Sequence, residues 1–239
     1  MAESGNRQTW LIVGASRGIG LELCRQLVAR GHRVIGTVRN PEAPWNVGDA
    51  SLQKARKLVC NVSSKDSIFE FMKQLASLGE SRIDYAVINA GILQYPNLTL
   101  TTFDCRDLSI WPIIVAQQLL QTGIPIGTVA FMSSDSSSTQ LFRDQEDGFA
   151  AYAASKAALN QTLRHMAAEL KRKKSKTIIL ALHPGEVSTD MANIEIPWEI
   201  EGGQISAEES VKGLLNVIPA KGLDQSGTFW TWDNREHPW

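Results

Sequence analysis

The chain has 239 residues, enough for one sizeable core, and its 24 basic and 25 acidic residues leave a formal net charge of −1. That balance offers no global attraction to nucleic acid or anionic membrane, so neither is expected as a partner and small-molecule chemistry is. Residues 1–9 are polar, no run approaches a membrane span, and the cysteines Cys24, Cys60 and Cys105 are scattered in the manner of reduced thiols, which suggests a soluble cytoplasmic protein.

Leu11-Ile12-Val13 is an apolar β-type run that breaks into Gly14-Ala15-Ser16-Arg17-Gly18-Ile19-Gly20 and continues as a segment with Ile19, Leu23, Leu27 and Val28 on one helical face. Strand, glycine loop and helix in that order make a dinucleotide cradle. Glycines at 14, 18 and 20 allow a tight turn and close approach to a diphosphate, and the helix opening near Ile19 presents unpaired N–H groups to the anion. A loop packed closely against a helix needs the same glycines, so this motif does not decide alone.

Gly31 reads as a helix C-cap and residues 33–38 as a second strand, completing a strand-helix-strand crossover. That strand ends in Val38-Arg39. A carboxylate there would bind a ribose 2′-hydroxyl, whereas Arg39 suits a 2′-phosphate, with Arg17 as a second cation; NADP(H) is the cofactor expected. The competing reading of Arg39 is an exposed charge at a strand end.

Residues 58–61 read as a third strand, 64–78 as a helix with Ile68, Phe71, Met72, Leu75 and Leu78 inward, and 85–88 as a fourth strand ending in Asn89-Ala90-Gly91. A helix is expected over about 104–120, with Pro112 as a local defect, and a fifth strand over 128–132 before Ser133-Ser134. Residues 135–148 have no periodicity and read as a surface loop. The helix at 150–172 ends in Lys171-Arg172-Lys173-Lys174, a cluster that complements the helix dipole. Residues 177–182 form a strand buried on both faces, followed by Pro184-Gly185.

Residues 189–204 lack core periodicity and make a candidate lid, of which 193–204 is expected to be mobile without ligand and to close over the substrate, with Trp198 as either its apolar contact or a core residue. Ser206 and Glu209 form a capping box for a helix through Val217, and residues 228–232 form the last strand. With no repeat or linker, residues 1–239 read as one domain: a Rossmann-type, doubly wound parallel α/β sheet with helices on both faces. Ligands of such sheets bind at the carboxyl ends of the strands. The glycine loop, Arg39, Asn61, Asn89-Ala90-Gly91, Ser133-Ser134 and Pro184-Gly185 all fall there.

Tyr152 and Lys156 are four apart at the start of the long helix and share a face. A phenol of pKa about 10 is a poor base at neutral pH. A cation at about 4 Å, with an effective dielectric near 20, would favour the phenolate by roughly 4 kcal/mol, or about three pK units. The four histidines, His32, His165, His183 and His237, are too dispersed for a ligand spacing, and no metal is implied.

Taken together, the GxxxGxG loop, in which Val13 stands where the usual motif has threonine, Asn89-Ala90-Gly91 with Ile88 before it, Tyr152-Ala153-Ala154-Ser155-Lys156 and Pro184-Gly185-x-Val187-x-Thr189 resemble the short-chain dehydrogenase/reductase family over roughly residues 9–232. The resemblance implies that Tyr152 exchanges a proton with a carbonyl or hydroxyl oxygen, that Lys156 holds the nicotinamide ribose and lowers the tyrosine pKa, and that Ser134 positions the substrate oxygen, with Ser133 as the alternative serine. It places the cofactor against Gly14, Ser16, Arg17, Gly18, Ile19 and Gly20, Arg39 and Asn89-Ala90-Gly91. Asn61 and Val62 would border the adenine, and Pro184, Gly185, Val187 and Thr189 would shape the nicotinamide pocket. It further implies a homodimer or homotetramer through the helices around 104–120 and 152–172.

Two features depart from the family pattern. The interval from Ser134 to Tyr152 is long, so residues 143–148 look like an inserted loop. Leu108 stands where the family carries an asparagine that relays protons. The function expected is NADPH-dependent reduction of a neutral, partly hydrophobic carbonyl compound, or the reverse oxidation, with residues 93–98, 136–149 and 191–200 near the substrate. The alternative is a non-redox protein on the same scaffold, either a cofactor sensor or an isomerase, dehydratase or cyclase.

Overall fold

The computed structural model describes residues 7–42, 50–93, 111–200 and 202–239. Among them, alternation in the first strand sets the architecture. In β1 (Thr9–Val13), Leu11 and Val13 face one side while Trp10 and Ile12 face the other, because successive strand side chains point to opposite faces. The following strands are β2 (Arg33–Val38), β3 (Arg56–Val59), β4 (Ile83–Ile88), β5 (Ile126–Met132), β6 (Ile178–His183) and β7 (Thr228–Thr231). They pair in the order β3-β2-β1-β4-β5-β6-β7, every pair parallel.

Both faces are covered. Helices α1 (Gly18–Ala29) and α5 (Ala207–Val217) bury Leu23, Leu27, Val211 and Leu214 against Trp10, Ile12 and Leu180. Helices α2 (Lys65–Ser77), α3 (Trp111–Gln121) and α4 (Ala150–Arg172) bury Phe71, Leu119 and Leu163 against Leu11, Val13 and Phe131 on the other side. This is the doubly wound Rossmann-like sheet expected. Chain order reverses between β1 and β4, and the crevice of such a sheet opens at that reversal.

Local chemistry fixes the ends of the elements. Gly31, at φ +82, follows the last turn of α1 in the left-handed conformation that ends helices. The Ser206 hydroxyl accepts the Glu209 N–H at 3.1 Å, the Ser206 half of the expected capping box. β3 ends two residues earlier than expected, because the Ser67 hydroxyl on α2 takes the Asn61 N–H at 2.8 Å and so turns the chain out of the ladder. Asn61 and Val62 therefore lie in the loop beyond the strand.

Two further segments differ from expectation. The polar stretch after β5 contains a 3-10 turn, Asp135–Ser137, because the Ser134 side chain caps it by accepting the Ser136 N–H at 3.3 Å. Residues 191–200 do carry a pattern, of period two. Ala192, Ile194, Ile196, Trp198 and Ile200 are half-buried, and the residues between them are exposed. The early part of the helix expected near 104, with Cys105, Asp107, Leu108 and Ser109, lies outside the described residues, as do residues 94–98. No helix among the described residues is long and apolar enough to cross a membrane.

Candidate active site

The glycine loop is held in shape from three sides. Gly14 sits at φ +90 and Gly18 at φ +54, conformations in which a side chain is strained. The buried Thr37 hydroxyl accepts the Gly14 N–H at 3.0 Å, and the Thr37 carbonyl accepts the Ala15 N–H at 2.7 Å. The Asn89 amide donates to the Gly14 carbonyl at 2.8 Å. A Cβ on Gly14 would come within 2.8 Å of Ala90, and one on Gly20 within 2.0 Å of the Gly14 carbonyl oxygen. These glycines therefore serve loop closure as well as ligand approach.

Above the loop, at the carboxyl ends of the strands, lies a cavity of about 520 Å³. Its walls include Gly14, Ser16, Arg17, Gly18 and Ile19, Arg39, Asn61 and Val62, Asn89-Ala90-Gly91, Tyr152, Lys156, Pro184 and Thr189. Four of the expected site residues do not line it. Gly20 is packed beneath Gly14 and Asn89; Gly185, at φ +85, is backed by Trp232 and Ile205; Val187 is buried in a bridge to Ile205. Ser134 is the fourth, and it meets Tyr152 instead. Met132, Ser133, Ser155, Met191 and Cys60 also line the cavity. Burial pushes the Cys60 thiol up to about 12, so it is a packing residue rather than a nucleophile.

The two serines after β5 have separate surroundings. Ser133 donates to Asn160 Oδ1 at 2.7 Å, and Asn160 Nδ2 donates to Ser137 Oγ at 2.6 Å, a buried polar network under α4. The Ser134 hydroxyl is the one that adjoins the Tyr152 phenol as a hydrogen-bonding partner. Sequence reasoning passed over Asn160, although its spacing carries a signal: Tyr152, Lys156 and Asn160 recur every four residues on one face of α4.

The tyrosine–lysine pair corrects an expectation. Lys156 Nζ lies 5.7 Å from the Tyr152 ring centroid and donates to the Met132 carbonyl at 2.8 Å. Burial is the largest influence on both groups, pushing the phenol up to about 12 and the ammonium down to about 8. The carboxylates Asp135, Glu186 and Glu146 add to the rise at Tyr152, and Ser134 opposes it. Desolvation, and not the lysine charge, thus sets the direction of the shift. At neutral pH the phenol is protonated, the form that can donate.

Beside Ser134 stands a cluster that the sequence did not announce. Arg143 pairs with Asp135, with Glu146 at 3.0 Å and with Glu186 at 3.2 Å, drawing three carboxylates from three segments around one guanidinium. Asp135 also receives Ser134 Oγ at 3.2 Å and Ser136 N at 2.9 Å, and its own N–H donates to His183 Nδ1 at 3.1 Å. Arg143 and Glu146 belong to the stretch expected to be an insertion. The base of that loop is tied down by the Trp239 carbonyl, which accepts the Gln140 N–H at 3.1 Å and the Ser138 hydroxyl at 3.2 Å. Phe149 meets Tyr152 edge-on at 6.1 Å and meets Trp198 edge-on at 5.6 Å.

The profile described as short chain dehydrogenase matches residues 8–199. The chain belongs to the short-chain dehydrogenase family. An uncharacterized oxidoreductase of Schizosaccharomyces pombe is 28% identical over 247 residues, covering 95% of this chain and 96% of its own length. An NADPH-bound carbonyl reductase from chicken fatty liver is similar in structure, with a TM-score of 0.82 and 25% identity over 98% of this chain and 99% of that one. A carbonyl reductase from Pseudomonas aeruginosa in complex with NADP gives a TM-score of 0.73 and 29% identity over 98% of this chain and 100% of its own. This short-chain dehydrogenase is therefore an oxidoreductase of its family. Its glycine cradle, the close Gly91–Lys156 approach (3.6 Å from a Cβ built on Gly91 to Nζ) and the cavity of about 520 Å³ between them fit a nicotinamide dinucleotide.

Proposed function

We propose that the protein is an NADPH-dependent carbonyl reductase acting on neutral, partly hydrophobic ketones or aldehydes. The observation that carries this reading is a protonated Tyr152, with Ser134 against its phenol, in the same cavity as the glycine loop and Lys156. The nicotinamide, when bound, supplies the hydride to the carbonyl carbon. Tyr152 donates its proton to the carbonyl oxygen, Ser134 orients the phenol that donates it, and Lys156 would bind the ribose hydroxyls.

Cofactor choice rests on Arg39, which is exposed at the end of β2 on the cavity wall and has no carboxylate beside it in sequence. Arg17 is the weaker candidate because its guanidinium is paired with Asp190 at 3.2 Å, and a 2′-phosphate would have to displace that carboxylate. The substrate class follows from the walls. Ile92, Pro112, Met132, Leu159 and Met191 line the cavity with apolar surface, which favours a neutral, partly hydrophobic compound over sugar phosphates and polyacids. A cytoplasmic homodimer or homotetramer, with a small molecule as sole partner and neither nucleic acid nor membrane, completes the reading on family resemblance and charge balance; light scattering of the purified protein checks the assembly.

The test is loss of NADPH absorbance with a panel of ketones and aldehydes, repeated with Tyr152→Phe. Turnover should fall by roughly 10² to 10⁴-fold while NADPH still binds, since the change removes a proton donor and little volume. Full turnover in Tyr152→Phe would refute the assignment of this residue, and a wild type inert to the whole panel would favour the non-redox reading.

A further inference from the structure

A tyrosine that gives its proton to a substrate oxygen must be recharged before the next turnover, and Tyr152, half-buried on the cavity wall, needs a path that does not cross the cofactor and substrate filling that cavity. Such a path leads from Tyr152 through side chains that do not include Lys156. The Ser134 hydroxyl adjoins the phenol, Ser134 Oγ lies 3.3 Å from Ser136 Oγ, and the Ser136 hydroxyl donates to Glu146 Oε1 at 3.1 Å. Glu146 keeps 9% of its side chain exposed and is flanked by the exposed Gln145 and Asp147, one layer from solvent. We propose that Glu146 is the proton source for Tyr152, acting through Ser136 and Ser134. This inference rests on the reductase reading above.

The transfers balance without any further reagent. The phenol proton leaves with the substrate oxygen, and the phenolate takes the Ser134 proton. Ser134 takes the Ser136 proton, and Ser136 takes that of the Glu146 carboxyl. The carboxylate is then protonated from water, and alcohol oxidation runs the same chain in reverse. Hydroxyls suit the two middle positions because each can accept and donate at once.

Asp135 is the rival terminus, since Ser134 Oγ is also 3.2 Å from its Oδ1. Burial works against the Asp135 carboxylate, but His183, Arg143 and the donors Ser134 and Ser136 outweigh it and hold the group below the usual range, which makes it a poor proton store. At Glu146 burial wins over the opposing Arg143 charge, so its carboxyl holds a proton more readily than Asp135 does; Asp135 itself pushes in the same direction. Arg143 Nε, at 3.0 Å from the same oxygen that meets Ser136, fixes the carboxyl in place.

Glu146→Gln keeps the size and the hydrogen bond to Ser136 but cannot deliver the proton. In a single turnover with NADPH preloaded, its hydride transfer should match wild type, because the first phenol proton is already in place. Its steady-state kcat should fall by about tenfold or more, and small weak acids such as acetic acid or imidazolium should restore it in proportion to concentration. Ser136→Ala, which leaves Glu146 intact, should show the same split and the same rescue. In the protein without cofactor, a carboxylic-acid infrared band that persists to a pH above the ordinary carboxylate range should be lost in Glu146→Gln. A variant with wild-type kcat, an equal fall in both phases without rescue, or no such band would each overturn the relay. A wild type that reduces nothing in the panel fails the reductase reading first and takes the relay with it.

Discussion

The side-chain amide of Asn89 donates to the carbonyl oxygen of Gly14 at 2.8 Å, which ties the end of β4 to the first residue of the glycine loop. Gly20 lies beneath this bond, and a Cβ there would stand 2.6 Å from the Asn89 nitrogen and 2.0 Å from the carbonyl. Backbone cannot yield as a flexible side chain does, so Gly20→Ala should pry the loop from β4. The expected result is a loss of NADPH affinity of at least about tenfold, near 1.4 kcal/mol, together with a lower Tm; calorimetric titration and thermal unfolding measure the two. Unchanged affinity would mean that the loop has slack the packing does not suggest.

Arg39 should set the cofactor preference. Arg39→Ala should weaken NADPH binding while leaving NADH nearly untouched, because the charge-assisted bonds it offers need the 2′-phosphate. Loss of one such contact is worth roughly 1.5–3 kcal/mol, or about ten- to a hundredfold in Kd. Comparable affinities for the two cofactors, unaltered in the variant, would show Arg39 to be only an exposed strand-end charge.

Lys156 makes the stability of the cofactor-free protein depend on pH. Burial lowers its pKa from the ordinary 10.5 to about 8, so over that window the unfolded chain binds more protons than the folded one. Stability from this group is therefore depressed below pH 8 and rises as pH climbs toward 10.5. Between pH 8 and 10 the gain should be about 2 kcal/mol. Lys156→Met should abolish that gain, as read from the difference in urea midpoints between the two proteins. Above pH 10 the Tyr152 phenol, raised to about 12, acts in the opposite sense, so the comparison belongs below that point.

Trp198 should select substrates by shape. It is half-buried, outside the core, and packed edge-on to Phe149, which in turn meets Tyr152. An aromatic pair of this kind is worth about 0.5–1.5 kcal/mol, so Trp198→Ala should raise KM for bulky apolar ketones by roughly two- to twelvefold. The kcat for a small ketone should be unchanged. An equal effect on all substrates, with a fall in Tm, would assign Trp198 to packing instead.

What the sequence determined by itself is everything carried by spacing along one element. Three glycines between a β-type run and an amphipathic segment fixed the loop, Tyr152 and Lys156 at four residues apart fixed the pair on α4, and turn residues after apolar runs marked the strand ends. Even the strands needed little correction, apart from β3, where the distant Ser67 captured the Asn61 N–H. Tertiary structure alone decided what depends on groups far apart in the chain. It chose Ser134 over Ser133 as the neighbour of Tyr152, by giving Ser133 a buried partner in Asn160. It gathered Asp135, Glu146 and Glu186 around Arg143, and it turned Lys156 to the Met132 carbonyl. It also reversed the expected shift at Tyr152. A pairwise Coulomb estimate from sequence knows the neighbouring charge but not the desolvation, and burial is set by how helices and loops close over the site.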